Sequence, residues 1–319
     1  MQVLSTKILF VSLLFCMSLK LLAEPLKVRT GLTMAPEQME QEGVPKGKLN
    51  GPFEFHSTIL KDTVRRYWVY VPAQYEESKA ASVLVFQDGQ RATNPKGSLR
   101  ITTVLDNLIA SGDMPTTIGI FITPGNKSKH YPDDLGMSNP NHRAAEYDAM
   151  NDSYARFIIE EMLPHVGKNY NLTKDPQQRA IGGTSSGAIA AFTVAWHKPD
   201  YFRKVYSSIG SYVSIGFKPN ANPVGLGGQD YPALIRREPI RPIKMFMQDG
   251  VNDLDNEWGN WFLANQQMLS ALNYANRIAD KNNVQGARYQ VTHVWTDGVH
   301  NDQHAGMLLP EGLRWLWNK

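Results

Sequence analysis

A five-residue segment in the middle of the chain, Gly183–Gly187, has the pattern of a serine nucleophile. Its sequence, GTSSG, fits G-x-S-x-G and lies between a predicted β-strand and a predicted helix. In this strand–turn–helix context the pattern holds a serine hydroxyl outward on a tight, strained bend. A glycine-rich turn with a serine capping the helix is the alternative interpretation. Ser185 is preferred over Ser186 as the nucleophile, because only Ser185 has glycine two residues away on each side.

A serine hydroxyl becomes a good nucleophile when a base removes its proton, and three histidines beyond the helix after Ser185 are candidates. His293 lies within the last predicted strand, where a single histidine is typical of a structural role. His300 follows that strand in a loop, at the sheet edge where the base should lie, and is the preferred base. His304 is the alternative base, or a residue that lines the substrate pocket.

An acidic residue should hold the base by its Nδ1–H and stabilise its charged form. In folds that carry this serine motif, the acid comes between the serine and the histidine in the chain. The predicted strand 243–247 lies in that interval, and the loop after it contains four candidates, Asp249, Asp253, Asp255 and Glu257. Spacing alone does not choose among them.

Backbone N–H groups should stabilise the negative charge that develops on the substrate oxygen. One donor is expected from Ser186, directly after the nucleophile. The other is expected from the loop after the predicted strand 83–86, at Gly89 or Gln90. A plain turn at Asp88-Gly89 is the alternative interpretation of that loop.

The elements that position these residues alternate along the chain. Short apolar strands separated by helices are typical of a mostly parallel sheet covered on both faces, which predicts the α/β class. We expect an extended lead-in over residues 24–52, a single domain over 53–319, and a Gly- and Pro-rich insertion near the site at 211–242. The predicted strands are 64–71, 83–86, 118–122, 179–182, 205–209, 243–247 and 289–295, and the predicted helices are 102–109, 154–166, 188–196, 261–278 and 308–317.

The first residues predict export. Lys7 precedes an apolar run from Ile8 to Leu19, so residues 1–23 are interpreted as a cleaved signal peptide, with an uncut anchor as the alternative. We therefore expect a periplasmic or secreted protein with no membrane segment after cleavage. Cys16 is the only cysteine and lies within this segment, so the mature chain would have no thiol for a disulfide, a metal or a nucleophile.

The charges nearly balance, with 33 Lys and Arg against 30 Asp and Glu. Since there is no basic stripe, nucleic acid is not an expected partner. The expected partner is a small-molecule or polysaccharide ester, and the oligomeric state does not follow from the sequence.

Several segments, in order along the chain, resemble a known family. They are 85–89 (VFQDG), 183–187 (GTSSG), 246–253 (FMQDGVND), and His300 with the tail 309–317 (LPEGLRWLW). Together they resemble the esterase-D-like group of α/β-hydrolases, which includes enterochelin esterases and the feruloyl and acetyl-xylan esterases of carbohydrate esterase family one. The similarity covers roughly residues 45–318.

This resemblance implies an α/β-hydrolase fold, a Ser-Asp-His triad, and neither a metal nor another cofactor. It assigns the acid to Asp253, with Asp255 in reserve, and the base to His300. The sequence departs from the family at Val299, because the family often has Gly-Gly-His where this chain has Gly-Val-His. Valine does not easily adopt a left-handed conformation, so a different turn before His300 is expected.

The expected reaction is hydrolysis of a carboxylic ester through an acyl-enzyme. An exported location favours a feruloyl, acetyl or other acyl ester on a polysaccharide, and a siderophore trilactone is the second choice. Acyl transfer to another sugar and an inactive binding protein on the same scaffold are the alternatives. The predicted substrate-contacting residues are Asp88, Tyr147, Trp258, Trp261 and His304, with Glu146 and Asp148 as further candidates and core packing as the alternative for Trp261.

Overall fold

The computed structural model describes residues 26–318, so the predicted signal peptide and Cys16 lie outside the described residues. The described chain forms one large sheet, a small two-stranded sheet and helices on both faces of the large sheet. The strands are β1 (Val28–Arg29), β2 (Lys48–His56), β3 (Val64–Val71), β4 (Ser82–Gln87), β5 (Thr117–Ile122), β6 (Arg179–Thr184), β7 (Lys204–Ser208), β8 (Lys244–Gly250), β9 (Asp255–Asn256), β10 (Gly259–Asn260) and β11 (Gln290–Thr296).

The helices occupy most of the connections between the strands. The α-helices are α1 (Gly89–Ala92), α2 (Ile101–Ala110), α3 (Arg143–Tyr147), α4 (Ser153–Arg156), α5 (Leu163–Val166), α6 (Ser186–His197), α7 (Tyr231–Arg237), α8 (Trp261–Lys281) and α9 (Asp302–Trp317). A π-helical stretch, Phe157–Met162, joins α4 and α5 into one continuous helix. Over residues 26–318, the helices are too short or too polar to cross a bilayer.

The large sheet has nine strands in the order β1-β11-β8-β7-β6-β4-β5-β3-β2. Neighbouring strands from β1 to β5 in that order run parallel, and β3 and β2 add an antiparallel edge. This arrangement confirms the predicted α/β-hydrolase architecture with its mostly parallel sheet. Such sheets require apolar side chains on both faces, and β4 and β5 are buried at every position.

The core is split between the two faces of the sheet. Along β4, Val83 and Val85 pack into one apolar cluster, whereas Leu84 and Phe86 pack into another. The first cluster is covered by the helix over 153–166 together with α6 and α8, and the second is covered by α2 and α9. Alternate side chains of one strand therefore pack against helices on opposite faces of the sheet. This packing from both sides holds the carboxyl end of the strand in position.

The predicted elements are confirmed, with shifted ends. The predicted helix 154–166 buries Phe157, Ile158, Met162 and Val166 as its spacing indicated. The last helix starts at Asp302 rather than at residue 308, which places His304 inside the helix.

The carboxyl ends of the parallel strands meet at one edge of the sheet. Ligand sites of open parallel sheets lie at this edge, where the strands deliver their following loops. The loops after β4, β6, β7, β8 and β11 all begin here. The loop residues singled out from the sequence are therefore brought together by the topology.

Candidate active site

Ser185 lies on a sharp turn between β6 and α6. Its backbone has φ 58° and ψ −123°, a conformation that non-glycine residues rarely adopt. The turn is possible because two glycines let the strand and the helix approach: a Cβ on Gly183 would lie 2.6 Å from the carbonyl carbon of Gly187. Backbone strain of this kind is concentrated at functional sites, where the surrounding structure maintains it.

The close approach at Gly183 gives a stability prediction. Gly183→Ala should lower the free energy of unfolding by about 3 kcal/mol, because backbone atoms on both sides of the contact cannot move apart without bending the turn. Gly112→Ala is the matched control, since Gly112 has φ 78° but open space around it. Its cost should be limited to about 1–2 kcal/mol of backbone conformational energy. Urea unfolding measures both variants, and equal losses would contradict the account of the turn.

The structure brings Ser185, His300 and Asp253 into one hydrogen-bonded chain. The Oγ atom of Ser185 lies 2.8 Å from Nε2 of His300. Nδ1 of the same ring lies 2.6 Å from Oδ1 of Asp253. With the Nδ1 proton directed at the carboxylate, Nε2 presents a lone pair to the serine hydroxyl, which is the arrangement a general base needs.

Among the acidic candidates after β8, Asp253 reaches the histidine because of the turn that follows the strand. The N–H of Asp253 donates to the carbonyl of Gly250, and Oδ1 accepts from the N–H of Leu254. Asp255 and Glu257 are exposed beyond this turn. Asp249 is the last residue but one of β8 and is completely buried behind Asp253.

The pKa values of Asp253 and Asp249 are shifted in opposite directions. Burial disfavours the charge on Asp253, but hydrogen bonds from His300 and Asp249 outweigh it and lower the pKa of Asp253 below its ordinary value. Burial raises the pKa of Asp249 well above its ordinary value, and the adjacent Asp253 carboxylate raises it further. Asp253 is therefore charged at neutral pH, as a partner of an imidazolium should be.

His304 has a different environment from His300. Its ring lies against Gly298, where an added Cβ would come within 2.5 Å of the ring. Within residues 26–318, its Nδ1 atom is buried without a hydrogen-bond partner. Val299, the departure noted in the sequence, is half exposed and has a negative φ, so the turn before His300 does not require a left-handed residue there.

Ser211 and Trp261 complete the surroundings of Ser185. Ser211 Oγ lies 3.2 Å from Ser185 Oγ and accepts a hydrogen bond of 3.1 Å from Nε1 of Trp261. The indole of Trp261 is buried and stands edge-on to the ring of His300, with 5.6 Å between the ring centroids. Trp261 therefore packs behind the histidine, which favours the core-packing alternative over a wall for substrate.

The loop after β4 lies beside the start of α6. A Cβ on Gly187 would lie 3.1 Å from the Cβ of Gln87, and one on Gly89 would lie 2.7 Å from the backbone nitrogen of Ile122. Ser186, Gly89 and Gln90 are each at the first or second position of a helix. N–H groups at these positions have no acceptor within their own helix and can point at a ligand.

The prediction that Asp88 and Tyr147 contact substrate is wrong for these side chains. Asp88 is 1% exposed, and its carboxylate accepts two hydrogen bonds, of 2.9 and 2.8 Å, from Arg143 and one from Arg91. Tyr147 is 0% exposed, and its hydroxyl oxygen accepts from the backbone N–H of Asp88. Both side chains hold the loop after β4 in position instead. The further candidate Glu146 is likewise buried, in an ion pair with Arg65.

A cavity of about 420 Å³ is connected to the nucleophile turn through Asp148, which lines the cavity and lies near Ser186. Its lining includes Ala144, Ala145, Asp148, Ile215, Gly216 and Trp258. The carboxyl group of Asp148 lies near the hydroxyl of Ser186, and its Oδ1 is buried without a partner among the described residues. Burial raises the pKa of Asp148 to about 6, against the opposing effects of Ser186 and Arg143. Trp258, by contrast, is 46% exposed and forms a wall.

Ser211 was not identified from the sequence, although a signal was present. It follows β7, the strand next to the one that carries Ser185, at the carboxyl edge of the sheet. The predicted insertion begins at this residue, and its Ile215, Gly216 and Lys218 line the cavity. The segment is therefore part of the site.

Comparison with known proteins identifies the family of this chain. Residues 57–277 match the family described as Esterase, "Putative esterase". The iron(III) enterobactin esterase of Dickeya dadantii (strain 3937) is 24% identical over 184 residues, which are 56% of this chain and 38% of that protein.

Solved structures with the same fold include two esterases. The enterobactin esterase FES from Shigella flexneri, determined in the presence of 2,3-dihydroxy-N-benzoyl-serine, has a TM-score of 0.63 at 19% identity, over 87% of this chain and 60% of that one. The ferulic acid esterase of the anaerobic fungus Anaeromyces mucronatus has a TM-score of 0.59 at 18% identity, over 90% and 97% of the two chains. This chain thus spans less than two thirds of either enterobactin esterase. At 19% and 18% identity, the structural similarity shows that the fold is shared.

Proposed function

Because this chain belongs to the esterase family matched by residues 57–277, we propose that it hydrolyses a carboxylic ester through an acyl-enzyme formed at Ser185. The observation that carries this proposal is the continuous hydrogen-bonded chain from Ser185 through His300 to Asp253, with distances of 2.8 and 2.6 Å. Ser185, at one end of this hydrogen-bonded chain, is held in a strained conformation at the carboxyl edge of the sheet.

In the first half of the reaction, His300 Nε2 takes the proton of Ser185 as Oγ attacks the ester carbonyl carbon. Asp253 stabilises the resulting imidazolium through Nδ1–H. The C–O bond to the alcohol then breaks, and His300 passes its proton to the departing alcohol oxygen. In the second half, His300 takes a proton from water, the hydroxide attacks the acyl-enzyme, and the acid leaves as Ser185 recovers its proton.

Negative charge on the carbonyl oxygen requires donors that are already in place. The N–H of Ser186 and those of Gly89 and Gln90 are proposed for this role. Ser186 begins the 12-residue helix α6, and the partial positive charge at this helix N-terminus also favours an oxyanion. The ion pairs of Asp88 with Arg143 and Arg91 keep the loop rigid, so its donors need little reorganisation during the reaction.

We further propose that the cavity beside Ser186 receives the acyl group of an ester carried by a carbohydrate. Its volume of about 420 Å³ falls within the range of about 300–1,000 Å³ for small-molecule sites. Small alanine side chains and the face of Trp258 suit a flat aromatic acyl group such as a feruloyl group. The unpartnered Oδ1 of Asp148 can accept a hydrogen bond from a hydroxyl on it. Export, predicted from residues 1–23, would bring the enzyme to such polymers.

A siderophore trilactone is the second candidate substrate. The specific observation in its favour is the likeness of this chain to two enterobactin esterases. A panel of purified esters separates the candidates: a feruloyl oligosaccharide, an acetylated oligosaccharide and enterobactin, each with and without an added sugar acceptor. Release of free acid from a carbohydrate ester supports the first proposal. Transfer of the acyl group to the acceptor would instead indicate an acyltransferase, and no turnover of any ester would favour a binding protein.

The cavity assignment predicts a change in selectivity. Trp258→Ala should lower kcat/KM for a feruloyl ester about tenfold, because the contact between the indole and the aromatic ring of the feruloyl group is lost. Turnover of p-nitrophenyl acetate should stay near the wild-type level, since an acetyl group does not reach the indole. Phe53→Ala removes an equally exposed aromatic ring from the edge strand β2 and is the matched control. Equal losses with both esters in Trp258→Ala would contradict the assignment.

A further inference from the structure

The carboxyl groups of Asp249 and Asp253 are neighbours on the side of His300 away from Ser185. The side chains of Asp249 and Asp253 are both fully buried, and they are close enough that each changes the ionisation of the other. The mechanism proposed above uses Asp253 and leaves Asp249 without a role. Two negative charges in contact in a buried site repel each other strongly, and such pairs usually share one proton.

The hydrogen bonds around the pair show where that proton is needed. Oδ1 of Asp253 accepts from Nδ1 of His300 and from the N–H of Leu254. Its Oδ2 is buried and has no other donor among residues 26–318. A buried carboxylate oxygen without a donor is costly, and an O–H on Asp249 is the group in position to supply one.

Asp249 is itself held from two sides. Its Oδ1 accepts from the N–H of Gly250 at 2.7 Å, and its Oδ2 accepts from Nδ2 of Asn265 at 2.6 Å. The same Asn265 nitrogen also lies 2.9 Å from the carbonyl oxygen of Gly210. Asp249 is thereby tied to α8 and to the segment that leads into Ser211.

We propose that Asp249 is a positioning residue: a neutral carboxylic acid whose O–H donates to Oδ2 of Asp253 and fixes that carboxylate against His300. The inference deepens the proposed function and rests on it. With the donor in place, both carboxylate oxygens of Asp253 accept hydrogen bonds, which opposes rotation of the carboxylate away from the imidazole. The proton on Asp249 also leaves a single negative charge beside His300.

The protonation state of Asp249 can be read without any substrate. Within the described residues, Asp253 is the titratable group that faces Asp249. His300 contacts Asp253 on the side away from Asp249. The pKa of His300 is measured by NMR in histidine-labelled wild type and in Asp249→Asn. A neutral Asp249 predicts the same pKa in both proteins, because the substitution removes no charge. An ionised Asp249 would make the variant's His300 pKa about one pH unit lower or more, and that result would overturn the proposal.

The positioning role is tested separately with kinetics. Asp249→Ala removes the donor, so kcat/KM for p-nitrophenyl acetate should fall about tenfold with KM little changed. Asp249→Asn keeps an N–H donor and should retain about a third or more of the activity. Asp255→Asn changes an exposed aspartate beyond the turn that follows β8; it is the control and should behave as wild type.

The outcomes remain distinguishable from failure of the proposed function. If Asp249→Ala and Asp249→Asn lose activity equally, or if neither loses any, the positioning role is overturned although wild type remains an esterase. If Asp249→Ala does not fold, the NMR comparison with Asp249→Asn still decides the inference. If wild type hydrolyses no ester, the proposed function fails, and the NMR comparison still tests the proton on Asp249.

Discussion

Replacement of Ser185 by alanine is expected to lower kcat/KM for p-nitrophenyl acetate by about 10⁴-fold or more while leaving the protein folded. The loss should be this large because the hydroxyl forms the covalent bond to the acyl group, and no neighbouring group can replace it once the histidine has nothing to deprotonate. The hydroxyl of Ser211 lies 3.2 Å from Ser185 Oγ, but it accepts a hydrogen bond from Trp261, and the hydroxyl bonded to His300 is that of Ser185.

The control for this experiment is a serine far from the site. Ser111→Ala removes the hydroxyl of an exposed serine that donates to the carbonyl of Leu108 at the end of α2, and its activity should match wild type. Circular dichroism and the thermal midpoint should show that Ser185→Ala is folded. A folded Ser185→Ala that keeps a tenth or more of wild-type activity would contradict a nucleophilic role for this serine.

Substitution of the two candidate histidines should give very unequal results. His300→Ala is expected to lower kcat/KM about 10⁴-fold, because His300 Nε2 is within 2.8 Å of the serine oxygen and is needed in both halves of the reaction. The kcat/KM of His304→Ala should stay within about tenfold of the wild-type value. His304 lies in α9 and its ring packs against Gly298, so it contributes to packing rather than to proton transfer.

Rates are measured for both variants with p-nitrophenyl acetate at a pH where the wild type is fully active. The two histidines are matched in size and lie four residues apart, so each variant serves as the control for the other. A larger loss in His304→Ala than in His300→Ala would mean that the assigned base is wrong.

Much of this site is predictable from the sequence because strand ends determine it. Ser185 was identified from G-x-S-x-G at the end of a predicted strand, and His300 from its place in the loop after the last strand. Both arguments depend on the parallel strands ending at one edge, which the short apolar runs already indicate. The structure brings these two residues within hydrogen-bonding distance.

Spacing could not select the acid among the four candidates after β8. The choice depends on the turn at Gly250, which directs Asp253 inward and leaves Asp255 and Glu257 in solvent. The resemblance to a family assigned Asp253, and it is the acid in contact with His300. Asp249 is two positions beyond the end of the predicted strand, yet it belongs to β8 and is buried.

The substrate-contacting residues were the hardest to predict, because burial is decided by distant parts of the chain. Asp88 and Tyr147 are of residue types that often contact substrate. In the structure, however, Asp88 forms an ion pair with Arg143, and the buried hydroxyl of Tyr147 accepts a hydrogen bond from the backbone of Asp88. Similarly, β2 contains a Gly-Pro step within an expected lead-in and still forms a strand at the sheet edge, around a register shift between Asn50 and Phe53. Proline is tolerated at such edges.

Labelling with a fluorophosphonate probe tests most directly whether His300 activates the Ser185 hydroxyl. The probe reacts with a serine whose proton is removed by a neighbouring base, so it requires no knowledge of the natural ester. After digestion, mass spectrometry should find the adduct on Ser185 in wild type and in His304→Ala, and little or none in His300→Ala. Absence of labelling in folded wild type, or labelling at another serine, would contradict the account.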